Sequence, residues 1–150
     1  MKLLAYEVDK RSFLGVLNED ETWVYPVSAA GMEYRSMKDL IREAGPSEME
    51  MLDYISKKAP GDVMGAAPVD EIRVVSPIAE PDQDIICLGI NYMDHAEESA
   101  RFEKRAFEKP EKAIYFSKRV NRTNDPDGII PAHKNLTNQL DYEAELAVII

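Results

Sequence analysis

Short apolar runs and polar breaks alternate along the first third of the chain at the spacing of strands. Leu3, Ala5 and Val8 mark a first extended stretch, and Phe13-Leu14-Gly15-Val16-Leu17 follows as an apolar run. Asn18-Glu19-Asp20-Glu21 has turn composition and Thr22 to Val27 resumes the extended pattern, so an antiparallel hairpin is expected. The period then lengthens. Ser36 is placed to cap a helix that carries Leu40 and Ile41 on its apolar face and closes at Gly45-Pro46. A second helix is expected from about Ser47, where Glu50 completes a capping-box pattern. Met51, Leu52 and Ile55 form its apolar face, and Ala59-Pro60-Gly61 ends it.

Ile72 to Val75 reads as a short strand stopped by Pro77. Pro77 and Pro81 frame a connecting segment, which divides the chain into a small N-terminal domain, 1–79, and a second part, 80–150. The second part opens with a buried-type strand from Asp84 to Gly89 and a helix from about Asp94 to Phe102. Lys109-Pro110-Glu111-Lys112 is loop-like, Ala113 to Phe116 is a strand, and Asn121 to Gly128 is rich in turn residues. Ile129-Ile130-Pro131 is a short extended piece, and a strand is expected from Leu140 to Ile150. Strands and helices in this order give an α+β class. The closing run Leu146-Ala147-Val148-Ile149-Ile150 is of the type buried on both faces with neighbours to follow, so the chain is expected to stop before its fold is complete.

Composition narrows the classes. A chain of 150 residues, 45% hydrophobic and 31% charged, is globular and fits one compact domain or two small ones. No apolar stretch approaches the roughly eighteen residues of a membrane span, and the N-terminus reaches Glu7 without an apolar signal core. A cytoplasmic protein is expected. With 18 basic against 28 acidic residues the net charge is −10, which argues against nucleic acid and leaves carboxylates free for metal ions. The single cysteine, Cys87, excludes an intrachain disulfide and a Cys-rich zinc site. In its run Ile85-Ile86-Cys87-Leu88 it reads as a small core residue.

Two places carry candidate chemistry. In an extended strand Asp141, Glu143 and Glu145 share one face, roughly seven ångströms apart, and repel one another unless water or a cation intervenes. A solvated outer face is one reading. A site for Mg2+, Mn2+ or Ca2+ is the other, favoured by the apolar run that follows. The second place is Leu88-Gly89-Ile90-Asn91-Tyr92-Met93-Asp94-His95-Ala96-Glu97-Glu98, a strand-to-helix junction where Gly89 lets the backbone turn. His95 and Glu98 share a helical face, where the carboxylate can hold the imidazole as a general base for water. An exposed histidine in an acidic helix is the alternative.

The order Gly-x-Asn-Tyr-x-x-His-x-x-Glu, then Tyr115-Phe116-Ser117-Lys118, then Gln139-Leu140-Asp141-Tyr142-Glu143-Ala144-Glu145-Leu146 closely resembles the fumarylacetoacetate hydrolase family, from about residue 72 to 150. Residues 1–71 resemble, less specifically, the small N-terminal domain of many bacterial members. The resemblance implies a small β/α domain followed by the first part of a mixed β-roll. It implies Glu143 and Glu145 as metal ligands, His95 and Glu98 as a catalytic pair on a lid-like helix, and Lys118 as the cation for the substrate's carboxylate or oxyanion, a surface lysine being the alternative. Asp141 is not a ligand in this pattern. The implied chemistry is metal-dependent hydrolysis, isomerisation or decarboxylation of a small 2-oxo or 1,3-dioxo acid through a metal-bound enolate, with carbon–carbon cleavage favoured, in a homodimer. The family completes its metal site with an aspartate beyond the Glu-x-Glu strand, so a catalytically incomplete chain acting as a folded or pairing domain is the rival expectation.

Overall fold

The computed structural model describes residues 1–102 and 112–150. A five-stranded antiparallel sheet in the order β4-β3-β2-β1-β5 organises the first half. Its strands are β1 (Leu3–Val8), β2 (Arg11–Leu17), β3 (Trp23–Pro26), β4 (Ala67–Pro68) and β5 (Arg73–Val75). Asp9 and Lys10, both left-handed at φ 49 and 64, turn β1 into β2. Two successive left-handed residues match the twist of a tight hairpin, and neither residue type signals it strongly in sequence. The expected turn at Asn18 forms because the Asn18 side-chain oxygen accepts from the Thr22 and Trp23 amides, at 3.0 and 2.9 Å.

Helix α1 (Met37–Glu43) starts where expected, with the Ser36 hydroxyl oxygen accepting from the Asp39 amide at 3.1 Å. Helix α2 (Pro46–Ser56) begins one residue before Ser47. Pro46 takes the first helical position, where its missing N–H costs nothing. Glu48, not Glu50, reaches back to accept from the Gly45 amide at 2.9 Å. The expected Ser47–Glu50 box is therefore displaced by two residues.

Alternation along the strands divides the core between the sheet's two faces. On one face Val16, Tyr25 and Val27 pack with Met37, Leu40, Leu52, Ile55 and Val63 from the helices and their connections. On the other, Leu4, Tyr6 and Val24 form a smaller cluster. Tyr25 is fully enclosed, and its hydroxyl donates to the Lys58 carbonyl at 2.7 Å. Burial pushes its phenol pKa upward.

The second half contributes β6 (Ile85–Gly89), α3 (Met93–Phe102) and β7 (Ile114–Lys118). The two strands pair antiparallel from Ile85↔Lys118 to Gly89↔Ile114. The α+β class holds. Of the expected loop at Lys109-Pro110-Glu111-Lys112, the first three residues lie outside the described ones.

Two expectations are corrected. The strand at Asp84–Gly89 forms but is not buried: Cys87 alone is enclosed, and Ile86 is 73% exposed. The strand at Leu140–Ile150 does not form; those residues carry no ladder and are exposed throughout. Ile129-Ile130-Pro131 is likewise exposed and unpaired. A strand exists only against a partner, and no edge among the described residues pairs with either segment. The described part of 80–150 holds one two-stranded ladder and one helix.

The segment after β7 returns to the first sheet. Thr123 donates from its amide to the Ala79 carbonyl and from its hydroxyl to the Ile78 carbonyl, both at 2.8 Å. The buried Ser76 donates its amide to Asp125 at 2.9 Å. Arg73 bridges Glu7 at 2.7 Å and Asp125 at 2.6 Å. Among the described residues no helix is long and apolar enough to cross a membrane.

Candidate active site

Three residues, Ile90 to Tyr92, separate β6 from α3. The turn falls on Ile90, at φ 53, rather than on Gly89. A β-branched residue is uncommon in that left-handed region, and such conformations persist where surrounding structure dictates them. Tyr92 precedes the helix, and its carbonyl accepts from the Ala96 amide at 3.0 Å, which opens the first turn. Asp94 in that turn and Arg101 in the last turn both suit the helix dipole. Ala96 and Ala100, four apart, are buried, so α3 turns that face inward and leaves His95 and Glu98 exposed.

The carboxylate that comes to His95 is Glu143. Its Oε1 lies 4.0 Å from the His95 Nδ1, and both side chains are about half exposed, 51% and 54%. Glu98 follows one turn further along α3. A second contact joins the same two segments: the Leu146 amide donates to the Tyr92 hydroxyl at 3.2 Å. The Asp141 carboxylate accepts from the adjacent Tyr142 amide at 2.9 Å.

Lys118 stands elsewhere. The register sets it opposite Ile85, four residues along the ladder from Gly89, which is about 13 Å at the rise of a strand. Its ammonium lies over the Phe116 ring, 5.8 Å from the centroid. The structure thus brings His95 and Glu143 together, with Glu98 on the same helix, and holds Lys118 apart. Sequence reasoning gave Tyr92 no role, although it stands within the motif; its contact spans 54 positions of chain, which no local pattern reveals.

Glu143 and Glu145 offer carboxylate oxygens, the donors that Mg2+, Mn2+ and Ca2+ take. Mg2+ commonly binds through one or two carboxylates and keeps several waters, so this donor set suits it. Among the described residues no three His, Cys, Asp or Glu side chains converge into a fuller metal group. Alternate residues share a face only in a strand, and 141–145 is not one.

A cleft of about 740 Å³ lies away from this chemistry, between the first sheet, the 32–38 segment and residues 73–80. Its charges largely answer one another: Lys38 pairs with Asp82 at 2.7 Å, Arg122 with Glu80 at 3.7 Å, and Arg73 with Glu7 and Asp125. We read it as a seam between segments.

Residues 84–150 match the family described as fumarylacetoacetate (FAA) hydrolase C-terminal. The chain belongs to the fumarylacetoacetate hydrolase family. It is 31% identical over 160 aligned positions to the oxaloacetate tautomerase YisK of Bacillus subtilis, an alignment covering 100% of this chain and 52% of that protein. Uncharacterised proteins of Staphylococcus epidermidis and Staphylococcus aureus align over the whole chain at 27% and 26% identity, each covered to 51%. The chain spans about half the length of the curated relatives it matches.

Proposed function

We propose that this chain carries part of the active site of an enzyme that moves a proton on a small 2-oxo or 1,3-dioxo acid, interconverting keto and enol forms. The carrying observation is the approach of His95 to Glu143 at 4.0 Å on a solvent-open surface. An imidazole beside a carboxylate can take the proton from the carbon next to a carbonyl, because the carboxylate stabilises the imidazolium that forms. The same imidazolium returns the proton to the substrate oxygen, which yields the enol. Glu98 serves as the second acid or base on the same helix. Lys118 is the cation for the substrate's carboxylate in this reading, a role that requires it to come closer than the far end of the ladder where it now stands. Glu143 and Glu145 would hold Mg2+, or Mn2+ or Ca2+ in its place, and the bound ion would supply Lewis-acid polarisation of the substrate carbonyl.

The relative named as an oxaloacetate tautomerase supports proton transfer over bond cleavage. Carbon–carbon hydrolysis is the second reading, favoured by the solvent-open His95, which can activate water instead. In either case residues 1–79 form a small N-terminal unit and 80–150 the site-bearing one. A non-catalytic pairing role, including homodimer formation, draws support from Ile86, Tyr115 and Phe116, exposed at 73%, 67% and 46%.

One experiment separates these. Ketonisation of oxaloacetate is followed by ultraviolet absorbance and pyruvate release from acylpyruvates by a coupled assay, with and without Mg2+. We expect Mg2+-stimulated ketonisation that falls at least about a hundredfold in His95→Gln, the range of a lost general base. No rate above buffer in either assay rejects the enzymatic reading, and pyruvate release without ketonisation selects hydrolysis.

A further inference from the structure

We propose that Tyr92 is a positioning residue that sets the register between the first turn of α3 and the segment carrying Glu143 and Glu145. The two contacts between these segments share one register. Tyr92 meets Leu146, and three residues further along α3 His95 meets Glu143, three residues back from Leu146. The segments therefore pass antiparallel, tied at one end by a hydrogen bond and meeting at the other as imidazole and carboxylate. Tyr92 acts on both sides of this junction. Its backbone carbonyl opens α3 by accepting from Ala96, and its hydroxyl accepts from Leu146. The glutamate segment has no ladder to hold it, so a directional bond at 3.2 Å is the restraint that keeps its register. Without it the exposed Glu143 side chain is free to leave His95 for water. The inference rests on the reading of His95 and Glu143 as site residues.

Tyr92→Phe removes the hydroxyl and keeps the ring. Three measurements on the full-length polypeptide test the role. Amide exchange at Leu146, followed by NMR, is expected to speed up about tenfold when its acceptor is lost. Glu143→Gln should move the His95 ring resonances in the parent and leave them nearly still in the Tyr92→Phe background. Oxo-acid turnover should lose about tenfold in kcat with KM changed less than about twofold, the pattern of a misplaced catalytic group.

Unchanged exchange at Leu146 overturns the proposal, whatever the activity. An equal response of His95 to Glu143→Gln in both backgrounds also overturns it, since register then does not depend on Tyr92. A parent without oxo-acid turnover defeats the functional reading instead, and the two NMR measurements still decide the register. Tyr54→Phe, on the exposed side of α2, is the control and should alter none of the three.

Discussion

The two β-ladders of this protein are both regular, yet one encloses a core and the other does not. In the first half, β1, β2 and β3 are covered by α1, α2 and their connections, and Val16, Val24, Tyr25 and Leu52 are wholly buried. In the second, β6 and β7 pair over five positions with equal regularity, but Ile85, Ile86, Leu88, Tyr115 and Phe116 remain exposed. Backbone pairing satisfies N–H and C=O groups, whereas burial needs a second layer against the apolar face. A two-stranded ladder without that layer is marginal in water. Stability therefore resides in the first half, and the candidate chemistry lies on the thinner second half.

The largest effect that would test this contrast is a cavity. Leu52→Ala should cost about 2–5 kcal/mol, while Ile86→Ala, on the exposed ladder, should stay within about 0.5 kcal/mol. Denaturant unfolding monitored at Trp23, the single tryptophan, measures both. Equal costs would mean that β6 is covered in solution. Overpacking gives a smaller loss in the same region. A Cβ at Gly15 would run into the Val24 side chain and come within 2.9 Å of Tyr6. Gly15→Ala should therefore lose about 1–3 kcal/mol in the same assay.

The seam between the halves ranks next. Asp125→Ala leaves the buried Ser76 amide without its acceptor and should cost about 1.5 kcal/mol. Amide exchange at Ser76 and Thr123 should quicken with it, and a double-mutant cycle with Arg73→Ala reads the ion-pair share. No change in exchange would show that the 121–128 segment is not anchored by this network.

The smallest effect depends on pH. Hydrogen bonds from Lys38 and Arg42 hold the Asp82 carboxyl below its ordinary value. Its contribution to stability is complete above the ordinary carboxylate range and is lost as pH falls through the depressed value. Asp82→Asn should thus be slightly less stable than the parent at neutral pH and match it in strong acid. The pair is solvent-exposed, so high salt should narrow the neutral-pH difference. A difference that persists undiminished in strong acid contradicts the linkage.

Local signals were readable where they act locally. Strands β1 to β3 follow from alternating apolar positions, and Ser36 caps α1 because its hydroxyl needs only a neighbouring amide. The start of α2 slipped because the Gly45–Glu48 box, with Pro46 at the first helical position, competes with an equally good pattern two residues on. The hairpin at Asp9-Lys10 was silent because Lys10 is no turn former, and the β1–β2 pairing imposes its left-handed conformation.

By itself the sequence determined the family, the α+β class and which residues to propose for the site, since a motif is a statement about order along the chain. It also marked Leu146 to Ile150 as an apolar run, and it could not decide whether that run pairs. Tertiary structure decided that Glu143 comes to His95, that Lys118 lies at the far end of its ladder, and that Tyr92 and Asp125 tie distant segments. Those outcomes are contacts across tens of residues. Their energy depends on the path of the whole chain, which no local window contains.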